Sequence, residues 1–346
     1  MTLPDDAGEL VAEYVTGLQH TRVHRSARDG SDGSGGSDGS DASEASDGSG
    51  GFLWWHRPGA LHPGPLTAPA AAAVPDLSGV RGAALLVTPV PAGGGLLHRA
   101  PGAVSVVTWL ADPRPGARRL AAHALAAAGC ALRALHDTPL PPGLPAGPPA
   151  ALRRMRAWAD GRDGLLPGAA RLREETLAVW GTDRLDRVRT WWEAAAAPAA
   201  PSLIHGGASL GALVPPLHRG RTALLTGEDL AAGSPALDLG WLLGDLAELA
   251  WSERRNGGPE SAEGPDLRHV LLAAYGSRGL DPAGLDPVGR DLAGLGRAAV
   301  LRVVTHMQDF AAYCDWTEEL HDYIAFTAEL IDEEGRRALP GPGGTP

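Results

Sequence analysis

Residues 201–251 read PSLIHGGASLGALVPPLHRGRTALLTGEDLAAGSPALDLGWLLGDLAELAW, and the order of runs and turns in this stretch decides the fold. The apolar run at 202–205 predicts a short strand ending at His205 and Gly206. A second run at 222–226 predicts a hairpin strand that ends at Leu225. A loop then leads through Gly233 to Pro235 and Asp238, which open a helix running to Trp251.

Working outward, residues 288–333 are helical in pattern, and so are 150–160, 168–180 and 183–197. A Pro-rich bridge at 139–149 separates these from an earlier stripe. In that stripe Leu120, Ala124, Ala128, Ala131, Leu132 and Leu135 recur at three- and four-residue spacing up to His136. Before Asp112 and Pro113 the signal changes. AALLVTPV (83–90) and AVSVVTWL (103–110) predict two strands joined around Gly93, Gly94 and Gly95, and FLWWHR from Phe52 predicts another. Residues 29–51 carry six acids, no base and almost no apolar side chain, so they predict a flexible insertion.

Composition narrows the function. All 30 basic side chains are arginines, since the chain has no lysine, and the formal charge is −11. That removes a Walker lysine and any Schiff-base or nucleophilic lysine. A net negative chain without a basic cluster predicts no nucleic-acid partner. No apolar run reaches the roughly 18 residues of a spanning helix, and the first residues lack a secretory pattern, so no membrane partner and a cytoplasmic location are expected. Cys130 and Cys314 form no CxxC pair and read as buried thiols on helical faces.

The 201–251 stretch resembles the aminoglycoside phosphotransferase and choline kinase family, a branch of the protein-kinase-like fold. That family shows His-Gly-Asp, an Asn five residues after the Asp, then Ile-Asp-Trp/Phe, then Gly-x-Pro-x-x-Asp-Leu. The spacing here agrees at each step. Upstream, SVVTWLADPRPGARRL resembles the strand and hinge between lobes, with Thr108, Trp109 and Leu110 as the place for an adenine ring. The resemblance implies an α+β bilobal fold with a small β-rich N-lobe over 1–111, a helical C-lobe over 112–335 and a flexible tail over 336–346.

It also implies where the chemistry is missing. Phosphoryl transfer needs a carboxylate to orient the attacking hydroxyl, and acid and amide oxygens to hold magnesium. The family's catalytic Asp falls on Gly207, its metal-binding Asn on Ala212 and its metal-binding Asp on Thr226. The nucleotide-binding lysine has no equivalent; His56 or Arg57 stands nearest. His205, Gly233, Pro235 and Asp238, which support the catalytic loop, remain. The resemblance therefore implies a pseudokinase with no cofactor and a protein or peptide partner. In the family context of peptide-modifying systems, it would present a peptide to a lyase-type enzyme or activate that enzyme.

Other readings stay open at this point. Glu228 and Asp229 offer carboxylates from shifted positions, which would make the chain an active kinase using ATP and magnesium. Residues 207–211 match G-x-S-x-G, so Ser209 with Asp238 and His269 or His306 stands in the chain order of a hydrolase triad, although Pro215 and Pro216 follow too closely for the required helix. His20 and His24 have a helical spacing for zinc without a third ligand. The arginines at 153–156 and 184–189 read as a solvated helical face. Trp191, Trp192 and Trp316 read as core-finishing side chains or partner surface.

Overall fold

The computed structural model describes residues 8–26, 51–144, 147–257, 264–276, 292–314 and 316–341. The 29–51 insertion lies outside these apart from Gly51. Five strands form an antiparallel sheet in the order β1-β2-β3-β6-β5: β1 (Leu10–Val15), β2 (Gln19–Arg25), β3 (Phe52–Pro58), β5 (Val90–Ala92) and β6 (Gly95–Ala100). Between β3 and β5 runs the short strand β4 (Leu85–Val87).

Alternation explains this sheet. In β2, Thr21 and Val23 are buried while the residues between them are not. In β3, Phe52 and Trp54 join Val23, Val214 and Leu225 in one cluster, and Leu53 and Trp55 join Ala92 and Leu97 on the opposite face. Both faces are covered, which is why FLWW is apolar without a break.

The remainder is mostly helical: α1 (Val106–Leu110), α2 (Pro115–His136), α3 (Ala150–Asp160), α4 (Pro167–Ala196), α5 (Pro235–Arg255), α6 (Leu267–Gly276), α7 (Leu292–Tyr313) and α8 (Glu319–Asp332). Between α4 and α5 lie β7 (Ser202–Ile204), β8 (Leu213–Val214), β9 (Ala223–Leu225) and β10 (Ala231–Gly233). The expected α+β bilobal architecture is therefore present, with a β-rich first part and a larger helical part.

Several expectations are corrected. The strand placed at 103–110 is a helix from Val106. Val106 and Leu110 pack on the core that includes α2, and this packing overrides the β-branched local preference. The strand that returns after Gly93 and Gly94 is β6, a few residues earlier than expected. The first strand of that region splits: β4 leaves the main sheet and pairs in parallel with β9, while β5 stays. His20 and His24 sit on strand β2, so their helical spacing has no meaning there; His20 instead pairs with Glu13 at 2.7 Å. The segment at 336–338 forms a 3-10 turn with Ala338 buried, so the start of the supposed tail belongs to the core. Cys314 is exposed rather than buried.

The two parts of the molecule are joined by more than the chain. Beyond the β4–β9 pairing, Arg221 donates to the carbonyls of Leu77, Ser78, Val80 and Ala83. On the other side, the turn between β1 and β2 reaches the end of α7, where Gly17 N donates to the Tyr313 carbonyl at 2.7 Å. A Cβ at Gly17 would stand 2.9 Å from that oxygen and 2.9 Å from Leu61 Cδ1, so the approach requires glycine. Among the described residues no helix is long and apolar enough to cross a membrane.

Candidate functional site

Between the sheet and the helices lies a cleft of about 500 Å³. Its upper wall comes from β1, β2, β3 and β6 through Tyr14, Gln19, Trp54 and His98; its floor comes from the segments around β7 and β9. Gly207, Ala212 and Thr226 all line it, as do Ser209, Glu228 and Asp229. The geometry thus brings together the positions that the motif spacing singled out.

The support of the floor is built on Asp238. Its Oδ1 accepts from Gly206 N at 2.8 Å, and its Oδ2 accepts from His205 N at 2.7 Å and from His136 Nε2 at 3.0 Å. His136 Nδ1 in turn stands 3.0 Å from the Tyr275 hydroxyl. The carboxylate is 1% exposed, and every contact is a donor aimed at it. Helix α5 delivers it: Ser234 is the N-cap, its hydroxyl accepting from Ala236 N, and Pro235 is the first helical residue. Gly233 sits on β10, where a Cβ would lie 2.4 Å from Ile204. Gly206 has φ +78°, and a Cβ there would meet the Asp229 carbonyl at 2.0 Å, so only glycine makes this turn.

A second buried acid holds the rest of the loop. Asp245 Oδ2 accepts from Leu210 N at 2.8 Å and its Oδ1 pairs with Arg302 at 2.7 Å; burial pushes the Asp245 carboxyl above its ordinary range.

The acids on the floor are committed. Asp229 Oδ1 accepts from Ala150 N, at the start of α3, at 2.6 Å, and burial raises its pKa. Glu228 Oε2 accepts from Thr67 N at 3.3 Å and from its hydroxyl at 3.1 Å. Among the described residues no cluster of three or more His, Cys, Asp or Glu side chains is arranged to hold a metal ion. Among the described residues Arg154 is the one arginine that lines the cleft, and its guanidinium is engaged by Asp309 through Nε at 3.0 Å and Nη2 at 2.6 Å.

Of the two neighbouring side chains His56 and Arg57 on β3, one lines the cleft and the other does not. His56 lines the cleft; Arg57 is exposed on the neighbouring position and stacks over Trp55 at 4.9 Å. Burial, and next the adjacent His98 ring, depress the His56 pKa to about 3. His98 packs edge-on at 5.1 Å, and its Nε2 donates to the Thr226 carbonyl at 2.7 Å. Burial also lowers the pKa values of His98 and His205.

The hinge expectation fails on geometry. Thr108 N and Trp109 N both donate to Ser105 O, at 3.1 and 3.2 Å, because this segment is helical. Those amides are therefore not offered to an adenine ring. The hydrolase arrangement lacks its elbow helix: Ser209 leads into strand β8, its Oγ accepts from Ala212 N, Asp238 is engaged by His205, Gly206 and His136, and of the two candidate histidines His306 pairs with Glu248 at 2.6 Å.

No family model matches the chain, and no curated protein matches it. Solved structures do. A choline/ethanolamine kinase family protein from Mesorhizobium loti is similar at 14% identity over 97% of this chain and 92% of that one, with a TM-score of 0.49. An aminoglycoside phosphotransferase from Streptomyces rimosus is similar at 18% identity over 87% of this chain and 93% of that one, with a TM-score of 0.37. A glucosamine kinase bound to glucosamine, ADP and phosphate is similar at 17% identity over 82% of this chain and 72% of that one, with a TM-score of 0.41. The structural neighbours are thus choline/ethanolamine kinases, aminoglycoside phosphotransferases and a glucosamine kinase.

Sequence reasoning missed the contribution of β1 and β2. Tyr14, Gln19 and Thr21 line the cleft, and the alternation in QHTRVHR was the available signal. It also missed α6 as a helix. The tryptophans are explained by packing: Trp191 is buried, and Trp192 Nε1 donates to Leu152 O at 2.9 Å. The arginine face is less solvated than expected, since Arg154, Arg156, Arg184 and Arg189 all pair with acids.

Proposed function

We propose that the chain is a phosphotransferase-like protein that does not transfer phosphate, and that it serves as a binding or activating subunit for a protein or peptide partner. The observation that carries this reading is the charge inventory of the cleft. A bound nucleoside triphosphate brings several negative charges, which phosphotransferases balance with a cation and with metal held by acids. Here the cleft arginine is engaged by Asp309, the lysine position holds His56 with its pKa depressed to about 3, and Gly207, Ala212 and Thr226 bring no carboxylate. Charge of one sign without partners in a desolvated cleft is strongly unfavourable.

The setting we propose is cytoplasmic, in a complex that modifies peptides during natural-product biosynthesis, with this chain presenting the peptide or activating the enzyme that modifies it. Co-expression with the co-encoded modifying enzymes tests it: the proposal expects a stable complex or a change in product yield, and neither effect would refute it.

One observation favours a second reading. Glu228 and Asp229 both face the cleft, so relocated metal ligands would make an active kinase of a small molecule or a peptide Ser/Thr. That reading predicts magnesium-dependent ATP turnover abolished by Glu228→Gln or Asp229→Asn. No turnover in the unmodified protein ends it.

A further inference from the structure

The ion pairs of the helical part pass over three neighbouring arginines away from the cleft. Arg118 lies in the first turn of α2, Arg254 is next to last in α5, and Arg268 is the second residue of α6. Among the described residues none of the three has a carboxylate within ion-pair distance. Arg255, one position along from Arg254, has two, with Glu319 at 3.1 Å and Asp322 at 2.7 Å.

The fold brings the three together. Helices α2 and α6 pack side by side, with Gly129 against Leu271 and Tyr275. At the start of both, Arg118 crosses Gly264, where a Cβ would stand 3.1 Å from Arg118 Cδ. Arg118 Nη2 reaches the Pro265 carbonyl only at 3.5 Å, and the Nε atoms of Arg118 and Arg268 are both buried without a partner. Burial holds the Arg268 guanidinium below its ordinary range; the pull of Asp266 opposes this, and repulsion from Arg254 and Arg118 adds to it.

Asp266 is the acid of this group, and the backbone occupies it. Its Oδ1 accepts from Arg268 N at 3.0 Å and its carbonyl from Val270 N at 2.9 Å, so it caps α6. Three cations thus face one anion, in a chain whose formal charge is −11.

Resting on the partner-binding reading above, we propose that Arg118, Arg254 and Arg268 form a docking patch for a segment of the partner that carries several Asp or Glu side chains. Charge complementarity carries the assignment, since carboxylates match the planar guanidinium fork and these three forks lack them. The number of acids decides the class of ligand. An exposed ion pair contributes little in salt, so a single small anion does not offset its loss of translational freedom. Carboxylates joined in one chain divide that loss among them, and the patch therefore selects an acidic segment over free phosphate or nucleotide.

The test is fluorescence anisotropy of labelled hexaglutamate added to the full chain, with hexaglutamine as the uncharged control. The expected result is saturable binding of hexaglutamate alone, weakened by salt and by about fivefold in each of Arg118→Gln and Arg268→Gln. Arg255→Gln, whose side chain already pairs with Glu319 and Asp322, should stay within about twofold of the unmodified chain. No saturable binding, or equal binding in the Arg118 and Arg268 variants, overturns the inference. Displacement by inorganic phosphate at matched ionic strength overturns the choice of an acidic segment. Glu260 and Glu263 lie between α5 and α6 outside the described residues. Binding tightened by about tenfold with both changed to Gln means that the chain's own acids compete for the patch, and overturns the partner assignment. The two readings fail separately. A co-expressed complex that survives Arg118→Gln with Arg268→Gln sinks the patch alone; hexaglutamate binding without any co-expressed complex sinks the partner reading and leaves the patch.

Discussion

The hydroxyl of Thr226 donates to the carbonyl of Val87 at 2.9 Å, and the Thr226 amide donates to the same oxygen at 3.0 Å. Thr226 therefore extends the β4–β9 pairing that ties the two parts of the molecule together. Its side chain works as a staple, and a carboxylate in its place would lack a donor to offer Val87.

Replacing Thr226 tests this. Thr226→Val removes one hydrogen bond while keeping shape and the amide contact, and should lower stability by about 1 kcal/mol. Thr226→Asp places a carboxylate in a position that is 1% exposed and should cost several times that, roughly 3–5 kcal/mol, with no gain of ATP turnover. Denaturant unfolding of the two variants gives the comparison, and equal stabilities would contradict the staple.

Asp238 should be among the least replaceable residues. Its carboxylate gathers Gly206 N, His205 N and His136, all buried, so Asp238→Ala leaves donors unpaired in the core. A loss of about 3–5 kcal/mol is expected. A loss below about 1 kcal/mol would show that the loop is held elsewhere.

Stability should fall on mild acidification. His56, His98 and His205 have ring pKa values below the ordinary one, chiefly through burial. Below about pH 6.5 the unfolded chain binds protons that the folded chain refuses, so stability drops as pH falls from there toward the folded values, about 3 for His56. The slope per fully neutral ring approaches about 1.4 kcal/mol per pH unit. Asp229 and Asp245 act in the opposite sense, because their raised values lose stability as pH rises above the ordinary carboxylate range. Thermal unfolding at pH 7, 6 and 5 should show a falling midpoint, and His56→Gln should flatten the curve. A midpoint independent of pH would refute it.

Gly17 ties the β1–β2 turn to the end of α7 through the Tyr313 carbonyl. Gly17→Val forces a side chain into space bounded by Leu61 Cδ1 and the Tyr313 carbonyl, and should cost about 1–3 kcal/mol. The local readout is hydrogen exchange of the residue-17 amide, which donates to Tyr313 O and should lose protection in the variant. Retained protection would contradict the clamp.

Much of this was legible before any coordinates. The strand–turn–strand–turn–helix order of 201–251 and the position of Asp238 followed from punctuation by glycine and proline together with apolar runs, which are local signals. The helix at Val106 was not legible, because β-branched residues favour a strand and only contact with α2 decides otherwise. The parallel pairing of Leu85–Val87 with Ala223–Leu225 joins segments far apart in sequence, and no local pattern encodes it. His56 was named as one of two candidates. Its depressed pKa comes from burial first and from His98 next, a setting that only the sheet register assembles.

The central claim is that the cleft lacks what a nucleotide phosphate needs. Calorimetric titration of the full chain with ATP, with and without magnesium, tests it most directly. The account predicts no saturable heat and no thermal shift at millimolar nucleotide under either condition. Magnesium-dependent, saturable binding abolished by Glu228→Gln would contradict it and make the relocated acids true metal ligands.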